Sequence, residues 1–155
     1  MAGGDLEDLD ELLASVRRAV QRPGYRGRLM RGLDLPGGIA TLRLLRAVEL
    51  LGGQGAPSIK DVAARLGIEH STASRAVDTA VRAGLLTKRG STDDQRRAQV
   101  ALSATGKAEL AKASRRRREL LECVTAGWAA EDVSRLVRLL HTLLEGFDRL
   151  EETSP

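Results

Sequence analysis

Cysteine is almost absent. Cys123 is the one thiol in 155 residues, so neither a disulfide within one chain nor a cysteine-based zinc site is available. Histidine is nearly as scarce. His70 and His141 stand far apart, with no carboxylate cluster at ligand spacing. Aromatic residues make up 2% of the chain, as Tyr25, Trp128 and Phe147, too few to define or exclude a ring-lined pocket. No apolar run approaches the ~20 residues of a membrane span; stretches such as LRLLRAVELL are short and broken by charge. The N-terminal MAGGDLEDLDELLASV is acidic and amphipathic, not a basic flank before an apolar run, so no signal peptide is expected. No nucleophile with a paired base, carboxylate dyad or phosphate loop is found, and catalysis is not expected. Nothing calls for a cofactor or a metal. These absences point to a soluble, cytoplasmic chain with no membrane partner.

The length suits one domain with a real core. Charge is plentiful in both signs, with 25 basic and 21 acidic residues for a net +4, so position matters more than the total. Leu6, Leu9, Leu13, Val16 and Val20 recur at alternating steps of three and four, the stripe of a helix laid against other helices. Pro23-Gly24 and Gly27 interrupt it, and Leu35-Pro36-Gly37-Gly38 is a second break. Ile39 to Leu51 then reads as a strongly apolar helix stopped by Gly52-Gly53. Ser58-Ile59-Lys60-Asp61 has the form of a capping box. The helix that it opens runs through Val62, Ala63 and Leu66 to Gly67, and Ile68 is expected to be a buried link.

The next stretch, EHSTASRAVDTAVRAG from Glu69 to Gly84, is a helix with two unlike faces. At about 100° per residue, Ser71, Thr72, Ser74, Arg75, Asp78, Thr79 and Arg82 fall on one half. Ala73, Ala76, Val77, Ala80 and Val81 fall on the other. A small apolar face permits close packing on a partner helix. A face of short hydroxyls and arginines suits a nucleic-acid groove, where Ser and Thr bond to base edges or phosphates and Arg75 reaches guanine O6 and N7. Alone, such a helix reads more simply as a wet surface. Here it follows a capped short helix and a tight glycine turn within about 25 residues, the spacing of a helix-turn-helix.

Leu85-Leu86-Thr87-Lys88-Arg89 pairs in expectation with Ala98-Gln99-Val100-Ala101-Leu102 as a β-hairpin around the polar loop GSTDDQRR. Arg82, Lys88, Arg89, Arg96 and Arg97 oppose only Asp93 and Asp94 there. A basic loop beside a recognition helix is placed to reach a minor groove, with the two aspartates turned inward to hold the arginines. Ser103 to Glu122 is helical with Ser103 as N-cap. After a break near Gly127, a last helix carries Val133, Leu136, Val137, Leu140, Leu143, Leu144, Phe147 and Leu150.

The segment SIKDVAARLGIEHSTASRAVDTAVRAGLLTKR, followed by DQRRAQVALSATGKA, resembles the winged helix-turn-helix of the MarR family of bacterial transcriptional regulators. The pattern Asp94-x-Arg96, then Val100-x-Leu102-Ser103-x-x-Gly106, carries much of the likeness, with Ser103 where the family usually has Thr. The resemblance implies a mainly α fold with a small β-hairpin wing. Residues 36–102 would be the winged helix-turn-helix lobe, and 1–35 and 103–155 dimerisation helices, all in one domain. It implies a homodimer on double-stranded DNA with a pseudo-palindromic operator, acting as a repressor released by a small-molecule effector, aromatic or phenolic in many relatives. Carried over by position, Ser71, Thr72, Ser74 and Arg75 serve the recognition helix. Arg96, with Arg97 beside it, becomes the wing residue entering the minor groove, and Asp94 orients it. His70 stands where many relatives have Pro. The alternative is a winged-helix protein-interaction module that binds no DNA.

Independently of the resemblance, a narrow Leu/Val stripe at each end of the chain needs a partner, and a second copy supplies one. Three features remain. Cys123, in ELLECVTAGW, reads as a buried structural thiol rather than a redox sensor. Arg115 to Arg118 point in different directions from one helix and read mostly as a solvated face. The cluster Arg17, Arg18, Arg22, Arg26, Arg28 and Arg31 is left between DNA-backbone contact and plain surface.

Overall fold

Seven helices and one two-stranded sheet make up the described residues 3–53, 55–90 and 98–152 of the computed structural model. In chain order they are α1 (Gly3–Gln21), α2 (Pro23–Met30), α3 (Ile39–Leu51), α4 (Ile59–Leu66), α5 (His70–Arg82), β1 (Leu86–Arg89), β2 (Gln99–Leu102), α6 (Ala104–Val124) and α7 (Ala130–Glu152). The chain divides into two compact units, Met1–Arg117 and Arg118–Pro155, and α6 runs through the boundary.

The core of the first unit is centred on α3, where Leu42, Leu44, Leu45, Ala47 and Val48 are all buried. The expected capping box opens α4. The Asp61 N–H donates to Ser58 Oγ at 3.2 Å, and the Asp61 carboxylate accepts the Ser58 N–H at 2.9 Å. The Ser58 hydroxyl and then its N–H hold the Asp61 carboxyl below its ordinary range. At the other end Gly67 takes a left-handed conformation, φ 65°, and the Ile68 N–H reaches back to Ala63 O at 3.1 Å. Only a residue without Cβ adopts that turn cheaply. It closes the backbone of α4 but leaves the Ile68 side chain outward, 37% exposed, so the expected burial of Ile68 is not found.

The hairpin has the expected antiparallel pairing, from Leu86↔Leu102 to Arg89↔Gln99. Leu86 and Val100 turn into the core while Thr87, Arg89, Gln99 and Ala101 face out, the period-two alternation of a half-buried ribbon. A short third element joins it that periodicity did not reveal. The Val100 N–H donates to Pro57 O at 2.8 Å, and Ser58 bridges Gln99.

Ser103 is the N-cap of α6, its Oγ accepting the Gly106 N–H at 2.9 Å and donating to Gly84 O at 2.6 Å. Here α6 comes so near the chain that a Cβ on Gly106 would lie 2.1 Å from Leu85 O. One turn on, the buried Glu109 accepts the Asp34 N–H at 2.9 Å and Lys112 Nζ at 2.6 Å. It thereby ties α6 to the loop between α2 and α3. Burial pushes its carboxyl up, but the Lys112 bond, the Asp34 N–H and the Lys112 charge together bring it below the ordinary glutamate value of 4.5.

Two further differences concern helices. The stretch after Pro23 was expected to interrupt the chain; it is a second helix instead. Arg22 alone is extended and Pro23 begins α2, where a missing N–H costs nothing and the fixed φ suits the first turn. Cys123 is exposed, contrary to the buried thiol expected, and its apolar neighbours Leu121 and Val124 are 52% and 69% exposed. The last buried core residue of α6 is Ala113, and its final turns leave an apolar face exposed among the described residues.

The same holds elsewhere. On α1, Leu6, Leu9, Leu12, Val16 and Val20 are 40% to 63% exposed, while Leu13 is half-buried. In the second unit, Trp128, Leu136, Val137, Leu140, Leu144 and Phe147 are 40% to 59% exposed, with Val133 and Leu143 half-buried. Scattered apolar exposure is ordinary, but stripes of this length are not.

Gly106→Ala should destabilise the chain by about 3 kcal/mol, opposite in sign to the ~1 kcal/mol that a helical Gly→Ala change ordinarily gains. Urea unfolding measures it; a gain would mean that α6 does not need its approach to Leu85. Glu109 has a lowered folded pKa, so its contribution is complete above the ordinary glutamate value and is lost as pH falls through the lowered one. Glu109→Gln is therefore expected to cost about 1–2 kcal/mol at neutral pH and to flatten the acid side of the stability curve below about pH 5. Parallel acid limbs for the two proteins would contradict that.

Candidate nucleic-acid interface

Helix α5 is built around three buried small residues, Ala73, Val77 and Ala80, exposed by 0%, 0% and 2%. Ala76 and Val81 are half-buried at the edges of that stripe. The stripe packs on α3 and α4, and residues this small bring the helix axes close. The opposite face stands out from the unit: Ser71, Thr72, Arg75, Thr79 and Arg82 are exposed, with Ser74 and Asp78 half-buried. The two faces expected from helical period are the two faces found.

Internal bonding grades this surface along its length. Arg75 Nε leans back to Ser71 O at 3.4 Å, Thr79 Oγ1 donates to Arg75 O at 2.9 Å, and Arg82 Nη2 donates to Thr79 Oγ1 at 3.2 Å. The C-terminal half thus spends its hydroxyl within the helix. Among the described residues, Ser71, Thr72 and Ser74 make no side-chain hydrogen bond, and Glu69 caps the helix by no side-chain bond. The N-terminal turn therefore presents backbone N–H groups and partial positive charge together with free hydroxyls, a combination that suits phosphate and base edges. His70, in that first turn, is also exposed.

One cation of the hairpin has a different job from the one expected. Lys88 Nζ pairs with Asp78 Oδ1 at 3.1 Å, the two side chains 25% and 43% exposed. The link runs from β1 to α5, so Lys88 fixes the strand to the helix and is not a free surface charge. Sequence reasoning had no signal for it, since the two residues lie ten apart on different elements. Arg89 remains exposed. Asp93, Asp94, Arg96 and Arg97 lie outside the described residues.

The arginines group differently from their order in the chain. Of the basic run near α2, only Arg17 and Arg26 turn toward an open cleft of about 710 Å³, where Arg43, Arg46, Arg65 and Arg117 join them. Of the four consecutive arginines on α6, Arg115 and Arg118 are exposed, while Arg116 and Arg117 are half-buried. No cluster of metal-binding side chains and no helix long and apolar enough to cross a membrane occurs among the described residues.

Residues 33–97 match the MarR family model, a stretch that includes α3, α4, α5 and β1. The fold extends the likeness over nearly the whole chain. A MarR family protein from Bacillus stearothermophilus superposes with a TM-score of 0.80 at 15% identity, covering 96% of this chain and 99% of that one. The match to the family model covers residues 33–97, and the chain as a whole has the fold of MarR-family proteins. A putative transcriptional regulator from Pseudomonas aeruginosa is similar at a TM-score of 0.72 and 22% identity, with 100% of both chains covered. The Staphylococcus aureus MarR protein, in complex with salicylate and kanamycin, is similar at 0.70 and 15% identity, covering 99% of this chain and 100% of that one. No curated protein matches the sequence. MarR-family members are transcription regulators, not enzymes, which agrees with the absence of a catalytic constellation from the sequence reading.

Proposed function

We propose that this MarR-family chain is a cytoplasmic transcriptional regulator that binds double-stranded DNA in a sequence-specific manner as a homodimer. The observation that carries the reading is the outer face of α5. A buried stripe of Ala73, Val77 and Ala80 holds the helix by its inner side, so Ser71, Thr72, Ser74 and Arg75 are offered outward at its N-terminal half. In a major groove that half lies nearest the bases. The short hydroxyls meet base edges and phosphates, and Arg75 spans a guanine edge with two bonds. Arg96 and Arg97, oriented by Asp94, extend the interface into the adjoining minor groove, where narrow A·T-rich steps attract guanidinium.

The division of labour follows from where apolar surface is left over. Residues 36–102 form the DNA-binding lobe, and 1–35 with 103–155 form the dimerisation region. A second copy covers the exposed stripes of α1 and α7. Two-fold symmetry then sets two α5 helices on half-sites about one helical turn apart, and the operator is a pseudo-palindrome. Repression released by a small aromatic or phenolic effector is the mode of action that the family likeness favours; the similar Staphylococcus aureus protein was solved with salicylate.

On the duplex that the wild-type chain prefers, Arg75→Ala should cost about 1–3 kcal/mol and relax preference at one base pair of each half-site. Fluorescence anisotropy against single-base variants of that duplex measures both. Unchanged affinity together with unchanged base preference would remove α5 from the interface. Affinity for DNA that does not fall with salt would favour a protein-interaction module instead.

A further inference from the structure

Helix α1 keeps its two signs of charge apart. Asp5, Glu7, Asp8, Asp10 and Glu11 occupy its first half and Arg17 and Arg18 its second, with Arg22 and Arg26 close behind. Leu6, Leu9, Leu13, Val16 and Val20 run through both halves at alternating steps of three and four. That is the seven-residue repeat of a helix that pairs with another along a narrow seam. Little else holds it. From position 4 to position 21 only Leu13 and Ser15 are half-buried, and every other residue is exposed. A lone helix of 19 residues is marginal in water, and the seam residues Leu6, Leu9, Val16 and Val20 of this one stand in the open.

We infer that α1 pairs antiparallel with α1 of a second copy of this chain, the acidic half of each lying against the basic half of the other. The inference rests on the homodimer proposed above, and it specifies which helices meet and what sets their register. Two-fold symmetry makes every contact between the copies occur twice, once in each sense. A helix that is negative first and positive second matches its own copy only when the two run in opposite directions. In a parallel pair Asp5 and Asp10 take the flanking positions that face each other across the seam, and acid lies on acid.

Register follows from the same residues. With Leu6, Leu13 and Val20 as one row of the seam and Leu9 and Val16 as the other, Asp10 and Arg17 hold equivalent positions on its flank. When Leu9 lies opposite Val20 of the second copy, and Leu13 opposite Val16, Asp10 falls beside Arg17 of the second copy. A slip of one repeat in one direction sets Asp10 against Asp10, and in the other Arg17 against Arg17. Both slips keep apolar contact and turn attraction into repulsion. The stripe of α7 offers α1 no such match, because its flanking positions hold Asp132, Val137, Leu139, Leu144 and Gly146 and no arginine or lysine. The order of charges in α1 therefore selects one register and one partner, a chain with the same order.

The test is charge exchange in the full chain, with two versions of different mass co-expressed and their dimers counted by native mass spectrometry at low salt. Asp10→Arg and Arg17→Asp, each alone, should raise the dimer dissociation constant about fivefold, since two exposed pairs change from attraction to repulsion. Co-expressed, these two variants should form mixed dimers well above the half expected by chance, because both pairs across the seam then have opposite signs. The double variant, Asp10→Arg with Arg17→Asp in one chain, should dimerise as the wild type does. Glu11→Arg and Arg18→Asp lie away from the seam, and co-expressed they should mix at one half. A wild-type dimer in which the Asp10 and Arg17 variants also mix at one half overturns the pairing and leaves the homodimer reading standing. Equal enrichment with the Glu11 and Arg18 variants, or a double variant still weakened, overturns it in the same way. A wild-type chain that remains a monomer overturns both.

Discussion

The backbone of Leu85 is the point on which the rest of the first unit hangs. Its N–H closes the end of α5 on Ala80 O at 2.9 Å, and its carbonyl accepts the Ser103 N–H at 3.1 Å. Ser103 in turn bonds Gly84 O through its hydroxyl and caps α6 by accepting the Gly106 N–H. Gly106 has no Cβ because Leu85 O occupies that space. Within a few residues the exit of α5, the root of the hairpin and the entry of α6 are thus fixed to one another. The recognition role proposed for α5 requires a helix held rigidly against the hairpin, and this knot together with the Lys88–Asp78 pair ties the two elements together from two sides.

Charge is distributed by role more than by amount. A net charge of +4 over 155 residues would not by itself distinguish a nucleic-acid partner. The separation of jobs supports the reading proposed above. Lys88 is spent on a structural pair, Lys112 neutralises the buried Glu109, and Arg75 stands on the outer face of α5. The arginines of the cleft form a second basic region over apolar side chains.

Much of the fold was legible because its signals are local. The Ser58–Asp61 box, the Gly67 stop, the Ala73, Val77 and Ala80 stripe and the pairing of the hairpin each follow from a cap, a period or an alternation. What escaped was set by tertiary structure. Pro23 read as a break, though one extended residue, Arg22, suffices for the turn and proline suits a helix start. Ile68 and Cys123 read as buried because their neighbours are apolar; an apolar face says that cover is wanted, not that the same chain supplies it. The Lys88–Asp78 link and the arginine cleft join residues from separate elements, which no single stretch of sequence reveals. At the candidate site, the inner and outer faces of α5 were legible, and the wing residues Asp94, Arg96 and Arg97 rest on the sequence pattern.

A symmetric DNA reader is tested most directly by selecting bound duplexes from a random library at two salt concentrations. The account predicts recovery of a pseudo-palindrome with half-sites about one helical turn apart, held less tightly as salt rises. Recovery of no preferred sequence, or of one without two-fold symmetry, would contradict it.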